Sequence, residues 1–393
     1  MTQQIQLGEY RASVVTELDE LAALAPAWDS CKSAFGASYV EQHLDYYWIG
    51  LGAWAEAGTP LVVMLHHRDQ LVGIAPFVAK TTRWTCTLGY GSLVSFPIRQ
   101  AHAYGEALLL PPDAGVYHAL LLALARCEHP CDALFLESVP TASVLWQTLQ
   151  TPARLPIDHW RYSPGGEVPH RKVRLDRSFN DYRKNLTARH RWKVQRAVDG
   201  FERAFPGRWS VHRVTAPDEV KSYAEAVEAI SGMSWQGRQL KHQLRATPDR
   251  LQYLEACARR GWLRSYLLLC DGRPVAFVEG LQPEAVFTGD FTGYLPDWQD
   301  HQPGKVLFYK IIEDLHDWKP ARTLDFGYGD SDYKRHFSND TTGQVNVYLF
   351  RKSLYTGTIL ATHSAFVGIK RAGHRFLDLV GKREAVRRIL RRK

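Results

Sequence analysis

LLLCDGRPVAF, at residues 267–277, opens the stretch that decides the fold of this chain. It is followed by AVFTGDFTGY at 285–294, HQPGKVLFYKIIEDL at 301–315 and RTLDFGYGDSDYKRHF at 322–337. Apolar runs around an Asp-Gly turn predict a β-hairpin, and the second segment predicts a further strand. The third segment predicts a helix that opens at a Pro-Gly pair, and the fourth a short strand that runs into a polar loop. A helix start that follows a strand offers free backbone N–H groups to a phosphate.

Length and composition indicate a globular protein with more than one domain. The chain has 393 residues, 45% of them hydrophobic and 23% charged, and chains of this length usually divide into several cores. No apolar run approaches the ~20 residues that span a bilayer, and the N-terminus lacks the pattern of a signal peptide. The six cysteines show no paired metal-binding spacing. We therefore expect reduced thiols, no metal site and a cytoplasmic protein.

The positive charge is concentrated at the C-terminus. Residues 370–393 carry ten Lys and Arg against Asp378 and Glu384, which accounts for the whole net charge of +8. The charge of the core therefore gives no indication of nucleic-acid binding. Apolar residues of this tail recur at helical spacing, and a basic amphipathic helix favours an anionic membrane surface or RNA. We expect peripheral contact with the inner face of a membrane, and a solubilising terminus is the alternative.

The two halves of the chain share an order of elements: helix, hairpin, extra strand, helix and strand. LHHRDQLVGIAPF (65–77) corresponds in pattern to LLCDGRPVAFVEGL (268–281), which indicates a duplicated α/β unit. The looser segment SPGGEVPHRK (163–172) marks the boundary between them. The predicted division is a first domain at 1–165, a second domain at 166–352 and a basic amphipathic tail at 353–393.

The segment from Tyr182 to Phe350 resembles the acetyltransferase family associated with cellulose and exopolysaccharide biosynthesis, within the GNAT superfamily. The matching motifs are SWQGR (Ser234–Arg238), DGRPVAF (Asp271–Phe277), PGKVL (Pro303–Leu307) and DFGYGDSDYK (Asp325–Lys334). The resemblance implies an α/β fold of two tandem GNAT-like mixed sheets flanked by helices, followed by the basic helical tail. Relatives of this family include the Fem-type peptidyl transferases, which use aminoacyl-tRNA.

The candidate donor site consists of Pro303, Gly304, Lys305 and Val306. Gly304 has no Cβ and lets a diphosphate approach the orphan N–H groups of the first helical turn, and the resemblance implies acyl-CoA as the co-substrate. HQPGKV keeps only the first glycine of the superfamily pattern (Q/R)-x-x-G-x-(G/A). An ordinary Pro-Gly turn is the alternative. In the first half the corresponding helix opens with Asp113, whose carboxylate repels a phosphate, so we expect that domain not to bind the donor.

Three residues are candidates for catalysis. Asp290 lies in the strand before the donor loop, where a carboxylate can accept a proton from an attacking amine, and Glu279 on the hairpin competes for this role. The alternative for Asp290 is a structural pair with an arginine. Tyr333 is a candidate general acid for the leaving thiolate, by analogy with the superfamily.

Five further residues are candidates for substrate binding. Trp235, Arg238 and His242 lie in a glycine-flanked loop that combines an aromatic ring with hydrogen-bond donors, as in sites for sugars; a Trp that anchors the loop to the core is the alternative. Asp325 and Lys334 flank a glycine turn that directs polar groups toward the cleft. A structural turn is the alternative for this pair.

A basic segment, FNDYRKNLTARHRWKVQRAVDGF (179–201), predicts one helix capped by Asn180 or Asp181. Arg189, Lys193 and Arg196 lie close to one face of that helix. They are suited to a phosphorylated substrate such as a nucleotide sugar or tRNA, whereas a solvated charged face is the ordinary interpretation.

The predicted activity is an N- or O-acyltransferase that moves an acyl group from acyl-CoA to an amine or hydroxyl of a sugar or small molecule, in polysaccharide biosynthesis. Direct attack is expected, because no Ser–His or Cys–His arrangement is visible in the sequence. Two alternatives remain: a Fem-like transferase that uses aminoacyl-tRNA, and a non-catalytic GNAT scaffold at the membrane surface.

Overall fold

The computed structural model describes residues 2–36, 38–53, 58–88, 91–234, 243–319 and 321–379. Three predicted substrate-binding residues, Trp235, Arg238 and His242, lie outside these ranges, as do residues 380–393 of the predicted tail. Among the helices of the described ranges, none has the length and apolar character needed to span a bilayer.

The first half, which is the chain up to residue 165, is built mainly of antiparallel strands with helices on the sheet. Its strands are β1 (Gln3–Leu7), β2 (Tyr10–Val15), β3 (Thr59–His67), β4 (Gln70–Leu88), β5 (Gly91–Tyr104), β6 (Ala133–Pro140) and β7 (His159–Tyr162). Its helices are α1 (Ala25–Phe35), α2 (Leu44–Ala53), α3 (Ala114–Arg126) and α4 (Val144–Gln150).

The second half, residues 166–352, repeats this composition, and a long helix follows it. Its strands are β8 (Glu167–Arg174), β9 (Trp209–Val214), β10 (Ser265–Cys270), β11 (Arg273–Leu281), β12 (Val286–Tyr294), β13 (Thr323–Asp325) and β14 (Asp340–Arg351). Its helices are α5 (Phe179–Asn185), α6 (Ala188–Ala204), α7 (Val220–Met233), α8 (Pro248–Arg259), α9 (Pro303–Asp317) and α10 (Asp332–Phe337), and α11 (Leu354–Leu379) follows.

All these strands form one mixed sheet in which the two halves are joined edge to edge. The strand order is β1-β2-β3-β4-β5-β6-β14-β8-β13-β12-β11-β10-β9, with β7 beside β14. The last strand, β14, pairs with β6 of the first half and with β8 of the second. The predicted mixed α/β fold is therefore confirmed. The predicted boundary at residue 165 remains a prediction, since the sheet continues without a break across it.

The repeat is visible in one unit that occurs twice: a strand, a crossover helix and a parallel strand. In the first half β5, α3 and β6 form this unit, and the pairing of β5 with β6 extends over Gln100–Tyr104. In the second half β12, α9 and β13 form it, but β12 pairs with β13 only over Val286–Thr288. Residues 289–294 of β12 have no strand on that side within the described chain. In the second unit β12 therefore loses its pairing with β13 after Thr288, whereas in the first unit β5 is paired with β6 up to its last residue, Tyr104. We call residues 289–294 the open segment of β12.

Strands β11 and β12 approach each other closely next to residues 289–294 of β12. The register of β11 against β12 shifts between Glu279 and Gly280. A Cβ on Gly280 would lie 2.5 Å from both the Phe287 ring and the Thr288 carbonyl oxygen, so only glycine fits there. Across the shift Glu279 pairs with Phe291 and Gly280 with Gly289, so Asp290 is the extra residue of this bulge.

Helices α6 and α9 share one core, which fixes the charged face of α6. Val194, Ala197 and Phe201 of α6 are almost completely buried, and Val194 and Phe201 belong to the cluster that includes Val306 and Leu307 of α9. Full burial of a Val, Leu or Phe side chain contributes about 1.5–3 kcal/mol. The predicted basic helix is therefore amphipathic, with its apolar face on α9.

Candidate active site

A cavity of about 590 Å³ lies between the two halves, beside the open segment of β12. Among the charged residues that line it, Glu41, Glu106 and Glu137 come from the first half, and Glu279, Asp290 and Asp325 from the second. Aromatic side chains from both halves complete the wall, including Tyr46, Tyr104, Tyr253 and Phe291. Both halves therefore contribute to one acidic, aromatic site.

Asp290 lies in the open segment of β12 and faces this cavity. The carboxylate has no hydrogen bond or ion pair with the described residues. The carboxylate is accessible from the cavity. Burial by the surrounding protein raises the pKa of Asp290 well above the usual value, and the charges of Glu41, Glu279 and Asp325 raise it further. The predicted alternative, a structural pair with an arginine, is not observed within the described chain. A carboxylate with a raised pKa is a stronger base than an ordinary carboxylate.

Glu41 is a second carboxyl of the cavity that has no ion pair within the described residues, and sequence reasoning missed it. It lies in a short turn, Val40–Gln42. The side chain of Gln42 stabilises this turn, because it accepts a hydrogen bond from the Tyr39 backbone N–H at 2.9 Å and donates one to the Glu106 carbonyl at 2.9 Å. Burial raises the pKa of Glu41 to about 7, with further contributions from nearby carboxylates. No sequence motif indicates this position, because Glu41 lines the cavity only when the two halves meet.

Glu279, the predicted competitor for the base role, is engaged in a buried ion pair. Its carboxylate accepts a hydrogen bond from the guanidinium of Arg250, at the start of α8. Burial raises the pKa of Glu279 against the opposing effect of Arg250. Since the Arg250 pair occupies this carboxylate, Asp290 remains the stronger of the two candidates for the base.

Asp325, predicted to bind substrate, has structural partners on both carboxylate oxygens. Its Oδ1 accepts from His170 Nε2 at 2.6 Å and from the Gly327 N–H at 2.8 Å, and its Oδ2 accepts from the Tyr39 hydroxyl at 3.0 Å. Lys172 lies 3.4 Å from Oδ2. Burial opposes ionisation, but these partners hold the pKa of Asp325 at about 2. Asp325 lines the cavity with its carboxylate held by structural partners, which favours the structural alternative.

Lys334, the other predicted substrate ligand of this segment, caps the glycine turn. Its Nζ donates to the carbonyls of Gly327, Tyr328 and Gly329 at 3.0–3.1 Å. Gly327 and Gly329 have φ values of 67° and 90°, which glycine adopts without strain. Since all three Nζ donors of Lys334 are used, it supports the loop instead of binding an acidic substrate.

Tyr333 lies at the edge of the cavity and packs on α9. Its ring stacks on Phe308 with centroids 5.0 Å apart, and burial raises the pKa of Tyr333 to about 12. The hydroxyl therefore stays protonated at neutral pH and is able to donate a hydrogen bond into the cavity.

The predicted donor turn forms the N-terminus of α9 and is not part of the cavity wall. Pro303 has no N–H, and the amides of Lys305 and Val306 donate to the carbonyl of Gln302 at 3.0 and 3.3 Å. The Gly304 N–H has no acceptor within the described residues. The space beside Gly304 is open, since a Cβ there would approach only Tyr294, at 3.7 Å. The turn thus offers one free amide, not the cradle of several that the sequence suggests.

Basic side chains from three elements, namely Lys305 of α9, Lys193 of α6 and His336 of α10, lie close enough to influence one another. Lys193 of α6 lies 3.4 Å from His336 Nε2 of α10. Burial and the charge of Lys193 lower the pKa of Lys305, and burial together with Lys305 and Lys193 lowers the pKa of His336. His336 Nδ1 is buried without a hydrogen-bond partner in the described chain. Lys193 and Lys305 repel each other, so an anion bound near both would be stabilised.

The described residues contain no group of His, Cys, Asp and Glu side chains arranged to hold a metal ion. The six cysteines are free and buried. The chemistry of the site is therefore discussed from its carboxyls, cations and hydroxyls.

Comparisons with known proteins agree with this architecture. Residues 188–335 match the family described as acetyltransferase (GNAT) domain. The crystal structure of FemX is similar with a TM-score of 0.53 and 12% identity, covering 77% of this chain and 92% of that one. The C-terminal domain of a putative lysylphosphatidylglycerol synthetase from Agrobacterium fabrum has a TM-score of 0.50 and 12% identity, covering 89% and 97%.

A tandem GNAT protein from the clavulanic acid biosynthesis pathway also matches, with a TM-score of 0.49 and 13% identity, covering 87% of this chain and 99% of that one. No curated protein sequence matches this chain. The chain thus has a GNAT-type acetyltransferase fold. Its assignment to the cellulose-associated family remains a prediction.

Proposed function

We propose that this protein is an acyltransferase that moves an acyl group from acyl-CoA to an amine or hydroxyl by direct attack. The observation that carries the proposal is the position of Asp290. This carboxyl, which has no ion pair within the described chain, lies where β12 leaves β13 and lines the cavity between the halves. A GNAT-type fold with a base at this opening fits acyl transfer better than a purely structural role.

The donor's phosphates would be held at the N-terminus of α9. The free amide of Gly304, the partial positive charge of the helix end and the cations Lys193 and Lys305 all favour an anion there. His336 Nδ1 is a buried polar atom that lacks a partner within the described chain. The residues present therefore fit a diphosphate, although fewer amides contribute than the sequence suggests.

The acceptor would react in the cavity between the halves. Asp290 accepts the proton of the attacking amine or hydroxyl while the new C–N or C–O bond forms and the thioester C–S bond breaks. Tyr333 donates its O–H toward the leaving sulfur, which departs as thiolate and then takes up a proton. The remaining contribution of the protein is the positioning of the two reactants.

For the biological role we retain the expectations from the sequence. The acceptor is a sugar or small molecule, the activity lies in polysaccharide biosynthesis, and the protein acts in the cytoplasm at the inner face of the membrane. These points rest on the family resemblance and on the basic tail at 370–393.

Isothermal titration with acetyl-CoA tests the proposal. Wild type is expected to bind, and Gly304→Glu to lose binding, because a carboxylate would enter the anion site. Lys310→Ala is the matched control, since Lys310 lies further along α9 and pairs with Glu313 at 2.7 Å. Absence of heat at millimolar acetyl-CoA, or a Gly304→Glu variant that binds like wild type, contradicts the proposal.

A second candidate is a transferase that uses aminoacyl-tRNA, and a basic pocket favours it. A cavity of about 670 Å³ at the start of α6 is lined by Arg171, Arg174, Arg177, His190 and Arg335. Such a surface suits a polyanion longer than a diphosphate. Retardation of tRNA that weakens steeply with salt would support this candidate, and no retardation at low salt would eliminate it.

A further inference from the structure

We propose that the acceptor carries an aliphatic chain ending in a carboxylate, and that this chain lies in a side arm of the main cavity, between α2 and the strands β4 and β5. This inference rests on the proposed function, because it names the substrate class of the same site. Binding of the chain depends on the side arm alone, so it is tested without any donor.

The side arm is a second cavity, of about 230 Å³, within the first half. Its wall includes Tyr47, Gly50 and Leu51 of α2 and Pro76, Val78 and Lys80 of β4. It shares five wall residues with the main cavity between the halves: Glu41, Tyr46, Tyr104, Ala107 and Tyr253. The two cavities therefore adjoin each other at these side chains.

The strand register shows in which direction the side arm leaves the main cavity. Along β5, Tyr104 lines both cavities, whereas His102 lines only the side arm. β4 runs antiparallel to β5, and Val78 lies opposite His102. Lys80 follows two residues later on the same face of β4, because side chains alternate along a strand. The side arm therefore extends along both strands, away from the main cavity and toward Lys80.

The wall of the side arm suits an aliphatic chain better than a sugar. Three of its side chains have no polar atom: Leu51, Pro76 and Val78. The Tyr47 hydroxyl accepts a hydrogen bond from the Leu61 backbone N–H at 3.3 Å, and His102 Nε2 lies 2.8 Å from a carboxylate oxygen of Glu137. A buried sugar hydroxyl needs hydrogen-bond partners, whereas an aliphatic chain is stabilised simply by leaving water.

A glycine keeps the side arm open on its helical side. Gly50 lies inside α2, where glycine is among the least favourable residues. Crowding does not explain it, since a Cβ on Gly50 would meet no atom within 4 Å. A larger side chain at this position would enter the open space of the side arm. Glycine at this position therefore leaves room for a ligand.

Lys80 places a positive charge at the far end of the side arm. Its side chain is half-buried, and its ammonium group has no hydrogen bond or ion pair within the described residues. The main cavity, in contrast, contains carboxyls such as Glu41 and Asp290, which repel an anion. A carboxylate on the ligand would therefore lie at Lys80, with the chain directed back toward the main cavity.

The free carboxylate indicates the acceptor and not the donor. In a simple acyl-CoA the carboxyl of the chain is used in the thioester, so no carboxylate remains to meet Lys80. From Lys80 back to Pro76 the side arm follows four strand residues, a length of about 13 Å. A chain of this length delivers the amine or hydroxyl at its other end to the cavity that Asp290 lines.

Titration without acetyl-CoA measures binding of the chain. Octanoate is expected to bind, and butanoate, which is shorter by four methylene groups, to bind more than tenfold more weakly, because each buried methylene adds to the affinity. Octanol has the same chain without the charge. It is expected to bind at least fivefold more weakly than octanoate.

Two variants test the two ends of the side arm independently. Gly50→Leu fills the open space and is expected to weaken octanoate binding by tenfold or more. Gly52→Leu is its control, because Gly52 lies in the same helix, is exposed, and also has no atom within 4 Å of a Cβ. Lys80→Met keeps the aliphatic stem and should bind octanoate no better than octanol, whereas Lys310→Met should leave binding unchanged. Circular dichroism confirms that each variant is folded.

The outcomes separate this inference from the proposed function. If octanoate does not bind, or if Gly50→Leu and Lys80→Met bind it like wild type, the inference is wrong whatever acetyl-CoA does. If octanoate binds as expected but acetyl-CoA does not, the side arm is a chain-binding site and the acyl-CoA proposal fails.

Octanoyl-CoA tests the assignment of the chain to the acceptor. We expect it to bind with an affinity within threefold of that of acetyl-CoA, in wild type and in Gly50→Leu alike. Binding more than tenfold tighter than acetyl-CoA, with the advantage lost in Gly50→Leu, would place the donor's acyl chain in the side arm and overturn the assignment.

Discussion

The Nε2 atom of His170 lies 2.6 Å from the Oδ1 atom of Asp325, and both side chains are almost fully buried at the centre of the sheet. Their exposed fractions are 3% and 5%. On the other carboxylate oxygen, Tyr39 of the first half donates a hydrogen bond. This group of buried polar residues therefore joins β8, β13 and the first half at the floor of the cavity.

We predict that Asp325→Ala destabilises the protein strongly, because it leaves His170 and Lys172 buried without their anion. Removing one partner of such a pair typically costs about 3–5 kcal/mol. The pKa of about 2 means that the stabilisation by Asp325 is complete above its unfolded pKa near 3.8 and is lost as the pH falls toward 2. Chemical denaturation at pH 7 measures the effect, with Asp218→Ala as the surface control. An Asp325→Ala variant of normal stability that fails only to bind substrate would restore the role predicted from sequence.

Glu41→Gln is predicted to change the pH dependence of stability in the opposite direction. The pKa of Glu41 is raised from 4.5 to about 7, so between these pH values the folded state binds more protons than the unfolded state. The free energy of unfolding then falls as the pH rises through this window, by at most roughly 1.4 kcal/mol per pH unit. The variant should melt higher than wild type at pH 8 and at the same temperature at pH 4.

Thermal unfolding at both pH values checks this prediction. Glu17→Gln, at an exposed carboxyl, serves as the control and should show no difference. Parallel curves for wild type and Glu41→Gln across this range would mean that Glu41 is not held in the protonated form.

Asp290→Asn is predicted to reduce kcat by about 10²–10⁴-fold, the usual contribution of a general base, without weakening acetyl-CoA binding. Release of free thiol measures kcat, and titration measures donor affinity. Glu279→Gln provides the contrast: it breaks the pair with Arg250 and should lower stability first. Equal activity losses without a stability difference would contradict the division of roles between the two carboxyls.

The segments that sequence reasoning placed well are those whose structure is set locally. The hairpin β10–β11, the strand β12 and the helix that opens at Pro303 follow from apolar runs, an Asp-Gly turn and a Pro-Gly pair that lie close together in the chain. The predicted single helix at 179–201 was wrong in detail. Thr187 caps a second helix by accepting the N–H of His190 at 3.2 Å, and Ser178, not Asn180 or Asp181, caps the first.

The site was harder to predict, because its partners are distant in sequence. Asp325 meets His170 across 155 residues and Tyr39 across 286. Glu41 gains its environment only from the contact between the halves. Sequence patterns show which side chains are polar, but the pairing that neutralises Glu279 and leaves Asp290 free depends on the register of β11 and on the position of α8. The first half, expected not to bind the donor, therefore contributes to the proposed acceptor site.

The donor site gives the last prediction, which concerns Lys193 and Lys305. Lys305 lies in the first turn of α9 and Lys193 on the neighbouring α6, and each is repelled by the other and by any proton on His336. Removing either cation relieves this repulsion in the free protein but weakens the attraction for the donor's phosphates. Lys193→Ala and Lys305→Ala should therefore each raise the Kd for acetyl-CoA several-fold and make binding less sensitive to salt, whereas Lys310→Ala on the same helix should change neither. Titrations at low and high salt measure both effects, and wild-type affinity in the two variants would place the donor elsewhere on the molecule.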